Sequence, residues 1–222
     1  TGDAENWYDY FSKNWTLRGD LTSQPNTRHS IKTGFEARYT DMQVIDINAP
    51  WFGETGLGRN HDYYRVYPND GAFYIQDRIT YDGMIVNIGV RYDYWFPGKY
   101  VDDAINNPET VTITDEAREK YRSETFELFG MRGKGHISPR LGISHPITDN
   151  DVLYLHYGHF SQKPKGHYVY AKLNSTSEAT YQLFGNPNLN PTTTVAYEMG
   201  LKHRFNARSE ERRVGKECAT GC

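Results

Sequence analysis

GAFYIQDRITYDGMIVNIGVRYDY, residues 71–94, reads as one long β-hairpin. Asp82-Gly83 stands between two alternating runs, and Asp-Gly is the strongest short-range signal for a two-residue turn with both central residues at positive φ. Such a turn fixes the register. Pairing Tyr81 with Met84 sets Ile79 opposite Val86, Ile75 opposite Val90 and Phe73 opposite Tyr92, which makes one face almost wholly apolar and aromatic. The other face is polar, with Arg78 opposite Asn87, Gln76 opposite Gly89 and Tyr74 opposite Arg91. Each strand runs about ten residues, beyond the usual five or six of a soluble sheet and equal to a tilted strand crossing a bilayer. Asp77 breaks the apolar face, and a position away from the membrane centre is expected for it.

Working outward, residues 29–42 form the cleanest strand. Ile31, Thr33, Phe35, Ala37 and Tyr39 share one side, and Lys32, Gly34, Glu36, Arg38 and Thr40 the other. Sorting charge to one side matters, because a Lys or Arg facing lipid at the midplane costs about 2–4 kcal/mol. Residues 15–21, 136–145, 151–160 and 194–205 alternate in the same way. Pro139 counts mildly against the second of these, 136–145, since proline removes a ladder donor. Residues 1–14 have no period and read as the tail of a loop. Residues 43–69, 95–135 and 161–193 read as long loops rich in Gly, Pro, Asn and aromatic residues, and Thr114 is placed to cap a short charged helix over 115–122.

Composition agrees with this pattern. The 222 residues include 18 Tyr, 10 Phe and 4 Trp, so 14% are aromatic while only 37% are hydrophobic, and mean hydropathy is -0.78. No apolar run approaches the roughly twenty residues of a membrane helix. A barrel leaves no such run, because its strands alternate lipid-facing and lumen-facing residues. A net charge of -3 gives no nucleic-acid grip. The chain opens on Thr1 with neither an initiating Met nor a signal peptide, and is expected to begin inside something larger.

Connections alternate short and long, with every short one at the same end of the sheet. Outer-membrane barrels pair short periplasmic turns with long extracellular loops, whereas a soluble antiparallel β-sandwich with a lectin-like loop end has no reason to keep that asymmetry. The expected fold is therefore all-β: an antiparallel up-and-down transmembrane β-barrel fragment of about seven strands, not closed in this chain. Its expected extent is residues 1–207. From Arg208 the run RSEERRVGKEC sets three acidic and four basic residues within eleven and abandons the period of two. It is similar to the translation of a sequencing-library adapter, so residues 208–222 are expected to be a non-native tail. The alternative is a charged helical tail with two thiols, Cys218 and Cys222. Without that tail the chain holds no cysteine.

The hairpin, then SPRLGISHPITDNDVLYLHYGHFSQKP, then GNPNLNPTTTVAYEMGLKHRF resemble, in that order, strands from the C-terminal part of the barrel of TonB-dependent outer-membrane receptors. HSIKTGFEAR fits upstream, and the resemblance spans about residues 17–205. The branch with an N-terminal carboxypeptidase-regulatory-like domain is similar too. The resemblance implies a cell outer membrane of Gram-negative type and a barrel of about 22 strands with a plugged lumen. It also implies active import of a scarce ligand, whether siderophore, cobalamin, oligosaccharide or peptide. The implied partners are outer-membrane lipid, the imported ligand and the inner-membrane TonB energy-coupling complex, reached through a plug absent from this chain. No nucleic-acid partner and no cofactor are implied. Seven strands cannot close so large a barrel, and open edges in lipid are not tolerated, so the piece alone is expected not to transport.

Catalysis has little support, and no enzyme is expected. His156, His159 and His167 come nearest to a metal cluster, but His156 and His159 differ by an odd number and face opposite sides of a strand. Gly56-Leu57-Gly58-Arg59 and Gly133-Lys134-Gly135 read as loop glycines without the context of a phosphate loop, and no nucleophile motif occurs. Ligand recognition has better candidates. Trp51, Phe52, His61, Tyr63, Tyr64 and Tyr67 in the first loop, with His167, Tyr168, Tyr170, Tyr181 and Phe184 in the third, offer stacking surface with polar tips. Part of this set is equally suited to an interfacial aromatic girdle. Glu36, Arg38, Arg78, Arg91 and Arg140 are candidates to face the lumen and a plug. A passive porin or adhesin barrel and a soluble carbohydrate-binding β-sandwich are the rival readings.

Overall fold

The computed structural model describes residues 6–48, 60–107, 109, 113–171, 185–205 and 212–221, with backbone alone for 6, 48, 60, 61 and 212–221. Strands β1 (Asn6–Ser23), β2 (His29–Asn48), β4 (Asn69–Tyr81), β5 (Met84–Phe96), β7 (Met131–Pro146), β8 (Asp151–Gln162) and β9 (Thr192–His203) make up the wall. They run antiparallel, each beside the next, and curve into an open half-barrel. Two short strands extend its upper end, β3 (Asn60–Val66) against β2 and β6 (Phe126–Leu128) against β7. The tail segment runs as an outermost strand, β10 (Arg212–Gly221), paired with β9 from Arg212–His203 to Gly221–Thr194.

The hairpin register is the expected one, from Tyr81–Met84 through Ile75–Val90 to Phe73–Tyr92. Asp82 and Gly83 both have positive φ, 44° and 79°, as a type I′ turn requires. Pro139 lies one residue past the Arg140–Gly158 pair that ends the β7–β8 ladder, so it interrupts nothing on that side.

Several expectations are corrected. Residues 6–14 are not a loop tail; they continue β1 against the upper half of β2, Asn6 opposite Asn48. The first loop contains the end of β2 and all of β3. The second contains α1 (Lys99–Asn106), α2 (Asp115–Glu124), β6 and the start of β7, so Gly133-Lys134-Gly135 is strand and not loop. The third contains α3 (Gly166–Tyr170). Thr114 does cap α2, its hydroxyl accepting from the Ala117 N–H at 3.2 Å.

The hydrophobic core does not lie under the sheet. It lies at the long-loop end, where Tyr64, Val66, Trp95, Val101, Ala104, Ile105, Ile113, Tyr121, Val169 and Tyr170 bury one another. Helix α1 contributes Val101, Ala104 and Ile105 from one face, the spacing of a single helical stripe. Arg118 of α2 donates to the Ala104 carbonyl at 3.0 Å and to that of Ile105, so a cation neutralises the free carbonyls at the end of α1. These elements form a folded cap above the wall.

Candidate functional site

The two faces of the wall differ in kind. The odd residues of β1, β2 and β4, with their partners, form an uncovered apolar face on which Leu17, Phe35, Phe73, Ile75, Ile88, Val90, Leu155 and Met199 are all exposed. Aromatic rings bound this face at the cap end. Trp15, Tyr39 and Tyr67 follow at ring separations of 5.5 and 6.2 Å, and Phe73, Tyr94, Phe96 and Phe126 at 5.7, 5.9 and 5.4 Å. At the short-turn end Tyr81 lies 5.5 Å from the Arg28 guanidinium. From His29 to Tyr39 is ten steps of β2, about 33 Å at 3.3 Å per residue. Tilted by some 40°, that stretch is about 25 Å tall, the height of a barrel's lipid-facing band.

Asp77 has a partner on this face. His29 Nδ1 lies 2.6 Å from its Oδ2, so the carboxylate near the lower edge is not left unpaired.

The concave face is polar and interlocked. Arg18 Nε is 3.1 Å from Asp20, and Tyr74 donates to the same carboxylate across β2. It can do so because Gly34 lies between them; a Cβ there would meet both Asp20 Oδ1 and the Tyr74 hydroxyl at 2.6 Å. Of the lumen candidates, Arg38 binds Glu36 at 2.7 Å and Asp70 at 3.6 Å. Arg91 binds Asp93 at 2.7 Å, and Arg140 lies 4.9 Å from the centre of the Phe160 ring. Arg78 is exposed and has no ion-pair partner among the described residues. A hollow of about 770 Å³ opens on this face, with Arg18, Lys32, Arg91, Arg140, His156 and Glu198 in its lining. Two of its four cations are already paired, Arg18 with Asp20 and Arg91 with Asp93, so its lining is mixed in charge.

The cap closes over the same face. Lys163 pairs with Asp70, Ser161 donates to Asp93 at 3.1 Å, and Tyr170 donates to the Pro97 carbonyl at 2.9 Å. Lys134, which is 6% exposed, donates at 2.8 Å to Asn188 O, Asn188 Oδ1 and Asn190 Oδ1. This tie between β7 and the third loop had no local signal in the sequence, because its partners are over fifty residues away.

The aromatic candidates divide. Tyr64 and Tyr170 are each 2% exposed, 5.8 Å apart, and belong to the cap's core. Burial lifts their phenols, and that of Tyr121, well above the ordinary tyrosine range. Tyr63, Tyr67 and Tyr168 remain exposed, and the exposed His167 ring lies 4.1 Å from that of Tyr168, tilted by 48°. His61 is described by its backbone alone, in β3, while Trp51, Phe52, Tyr181 and Phe184 lie outside the described residues. His156 is on the concave face opposite Glu198, and His159 on the outer face beside Tyr157. Among the described residues no group of three or more His, Cys, Asp or Glu side chains could hold a metal ion.

The model of the β-barrel of TonB-dependent receptor-like proteins matches residues 1–210. The chain belongs to the TonB-dependent receptor β-barrel family. Two solved structures resemble this receptor barrel in fold. One is the FrpB iron transporter from Neisseria meningitidis, in its F5-1 variant apoprotein form, at TM-score 0.53 and 11% identity over 88% of this chain and 27% of that one. The other is the copper transporter OprC, at TM-score 0.51 and 12% identity over 90% of this chain and 29% of that one. The receptor barrel chain thus spans between a quarter and a third of the length of these structures. No curated protein matches it at a significant level.

Proposed function

We propose that this chain is a sector of the wall of an outer-membrane receptor that actively imports a scarce ligand under TonB control. The observation that carries the reading is the opposition of faces. An apolar band about 25 Å tall, edged by aromatic rings, backs a concave face of interlocked charges. Family membership supports the same reading. The lumenal residues Glu36, Arg38, Arg78, Arg91 and Arg140 hold a plug in the intact protein. The exposed cap residues Tyr63, Tyr67, His167 and Tyr168, together with Trp51, Phe52 and His61, meet the ligand, whether siderophore, cobalamin, oligosaccharide or peptide. The barrel sector ends at residue 207, and residues 208–222 are foreign to it.

The test is uptake by cells carrying or lacking the complete receptor, with the proton-motive force intact or collapsed by a protonophore. Saturable uptake that depends on the receptor and stops on collapse is expected. Receptor-dependent uptake that persists without the force would make the barrel a passive channel instead.

A further inference from the structure

Just above the aromatic rim at the cap end, the side of the wall away from the lumen holds a small charged patch. Lys13 of β1 is the register partner of Asp41 of β2, two residues above the Trp15–Tyr39 pair. The Met42–Val66 and Tyr39–Asn69 pairs keep one register through residues 67 and 68, and the Thr40 N–H donates to the Pro68 carbonyl at 3.0 Å. Tyr67 therefore stands beside Asp41 on its other flank. By parity these side chains share the face that carries Phe35 and Phe73.

Arg65 of β3 reaches the same carboxylate with two bonds, Nε at 2.9 Å from Oδ1 and Nη2 at 2.7 Å from Oδ2. Its guanidinium lies 5.6 Å from the centre of the Tyr67 ring, and the Lys13 ammonium 4.7 Å from that of Trp15. Two cations thus converge on one carboxylate, each beside a ring. Asp41 is 8% exposed, whereas Lys13 is exposed and the Arg65 side chain is 46% exposed. The carboxylate is covered and the cations are outermost, with one positive charge in excess. The Asp41–Arg65 fork is complete without Lys13, and it uses two of the five guanidinium N–H groups.

Position decides what such a patch would meet. The rim marks the upper edge of the lipid-facing band, and the long loops mark this end as the outer one, so Lys13 and Arg65 stand at headgroup depth in the outer leaflet. There an ammonium and a guanidinium take phosphate oxygens through charge-assisted hydrogen bonds. Phe11, the next residue of β1 on the same side, continues the aromatic surface above the cations and is 46% exposed. A simple phosphodiester headgroup ends near the charge. A phosphorylated sugar runs past it and can lay its apolar face on the ring.

We propose that Lys13, Arg65 and Phe11, positioned by Asp41, form a binding site on the outside of the wall for an outer-leaflet lipid with a phosphorylated sugar headgroup. Lys13 and Arg65 hold the phosphate, and Phe11 meets the sugar. The site rests on the membrane reading given above and is separate from passage through the lumen.

The test uses the complete receptor purified from outer membranes in mild detergent, with lipopolysaccharide as the probe. Native mass spectrometry counts bound probe for the native protein, Lys13→Gln, Lys13→Arg and Lys99→Gln. Lys13→Gln leaves the Asp41–Arg65 fork in place, and Lys99→Gln removes an equal charge from the exposed side of α1. Affinity about fivefold weaker is expected in Lys13→Gln, with native affinity in the other two variants. Dephosphorylated lipopolysaccharide and phosphatidylglycerol are expected to compete weakly. Native affinity in Lys13→Gln, equal weakening in Lys99→Gln, or competition by either of those lipids as strong as by lipopolysaccharide itself would overturn the proposal. Protonophore-sensitive uptake in the same cells would keep the importer reading standing in each of those cases, and a receptor absent from the outer membrane would overturn both.

Discussion

Asp102 shows how one residue sets a pH response in the cap. It lies in the first turn of α1, where one carboxylate oxygen accepts from the Arg132 N–H at 3.4 Å. The other oxygen is shut from water with no partner among the described residues. Burial raises its carboxyl above the ordinary aspartate range. An acid whose folded value is raised contributes stability below its unfolded value, about 3.9, and loses it as the pH climbs through the folded one. Asp102→Asn is therefore expected to keep the amides of residues 101–106 protected as the pH rises above about 4, where the native cap loses protection. Hydrogen exchange measures this. Parallel slopes for the two proteins would mean that burial of this carboxylate costs the cap nothing.

At the scale of elements, α2 depends on its cap and α1 does not have one. Thr114→Ala removes the hydroxyl that accepts from Ala117 and is expected to cost about 1 kcal/mol, seen as faster exchange along residues 117–121. The N-cap of α1 is Gly98, with no side chain to accept. That contrast explains what the sequence disclosed. Thr114 announced α2, whereas α1 had only Val101, Ala104 and Ile105 as a signal, eight residues in a region otherwise read as loop. The hairpin was legible residue by residue because Asp82-Gly83 admits one register. The upper ends of β1 and β2 were not, because above the band neither face is reserved for lipid. There Trp7, Tyr8, Tyr10 and Phe11 occupy consecutive and alternate positions alike, all exposed, and the period of two disappears. Of the candidate site, the shared concave side of Arg38, Arg91 and Arg140 followed from parity. Burial of Tyr64 and Tyr170 did not, since it comes from helices far along the chain.

For the whole molecule, the division of solvents makes a sharp asymmetry. Ile75 is half exposed at mid-band, opposite Thr33 and Val90, and Gln76, the next residue, faces the concave side. In the complete receptor, Ile75→Arg is expected to destabilise the barrel by about 2–4 kcal/mol in lipid vesicles, measured by denaturant titration of folding, while Gln76→Arg changes little. Equal penalties at the two positions would contradict the assignment of faces.

The placement of the core in the cap, and not beneath the sheet, carries a consequence for temperature. Water-driven burial weakens on cooling, and in this molecule that force binds the crown of tyrosines and helices and has little part in the wall, whose outer side chains answer to hydrocarbon. Chilling would slacken the crown while the staves beneath it held firm, so the two halves of one continuous chain would have separate seasons.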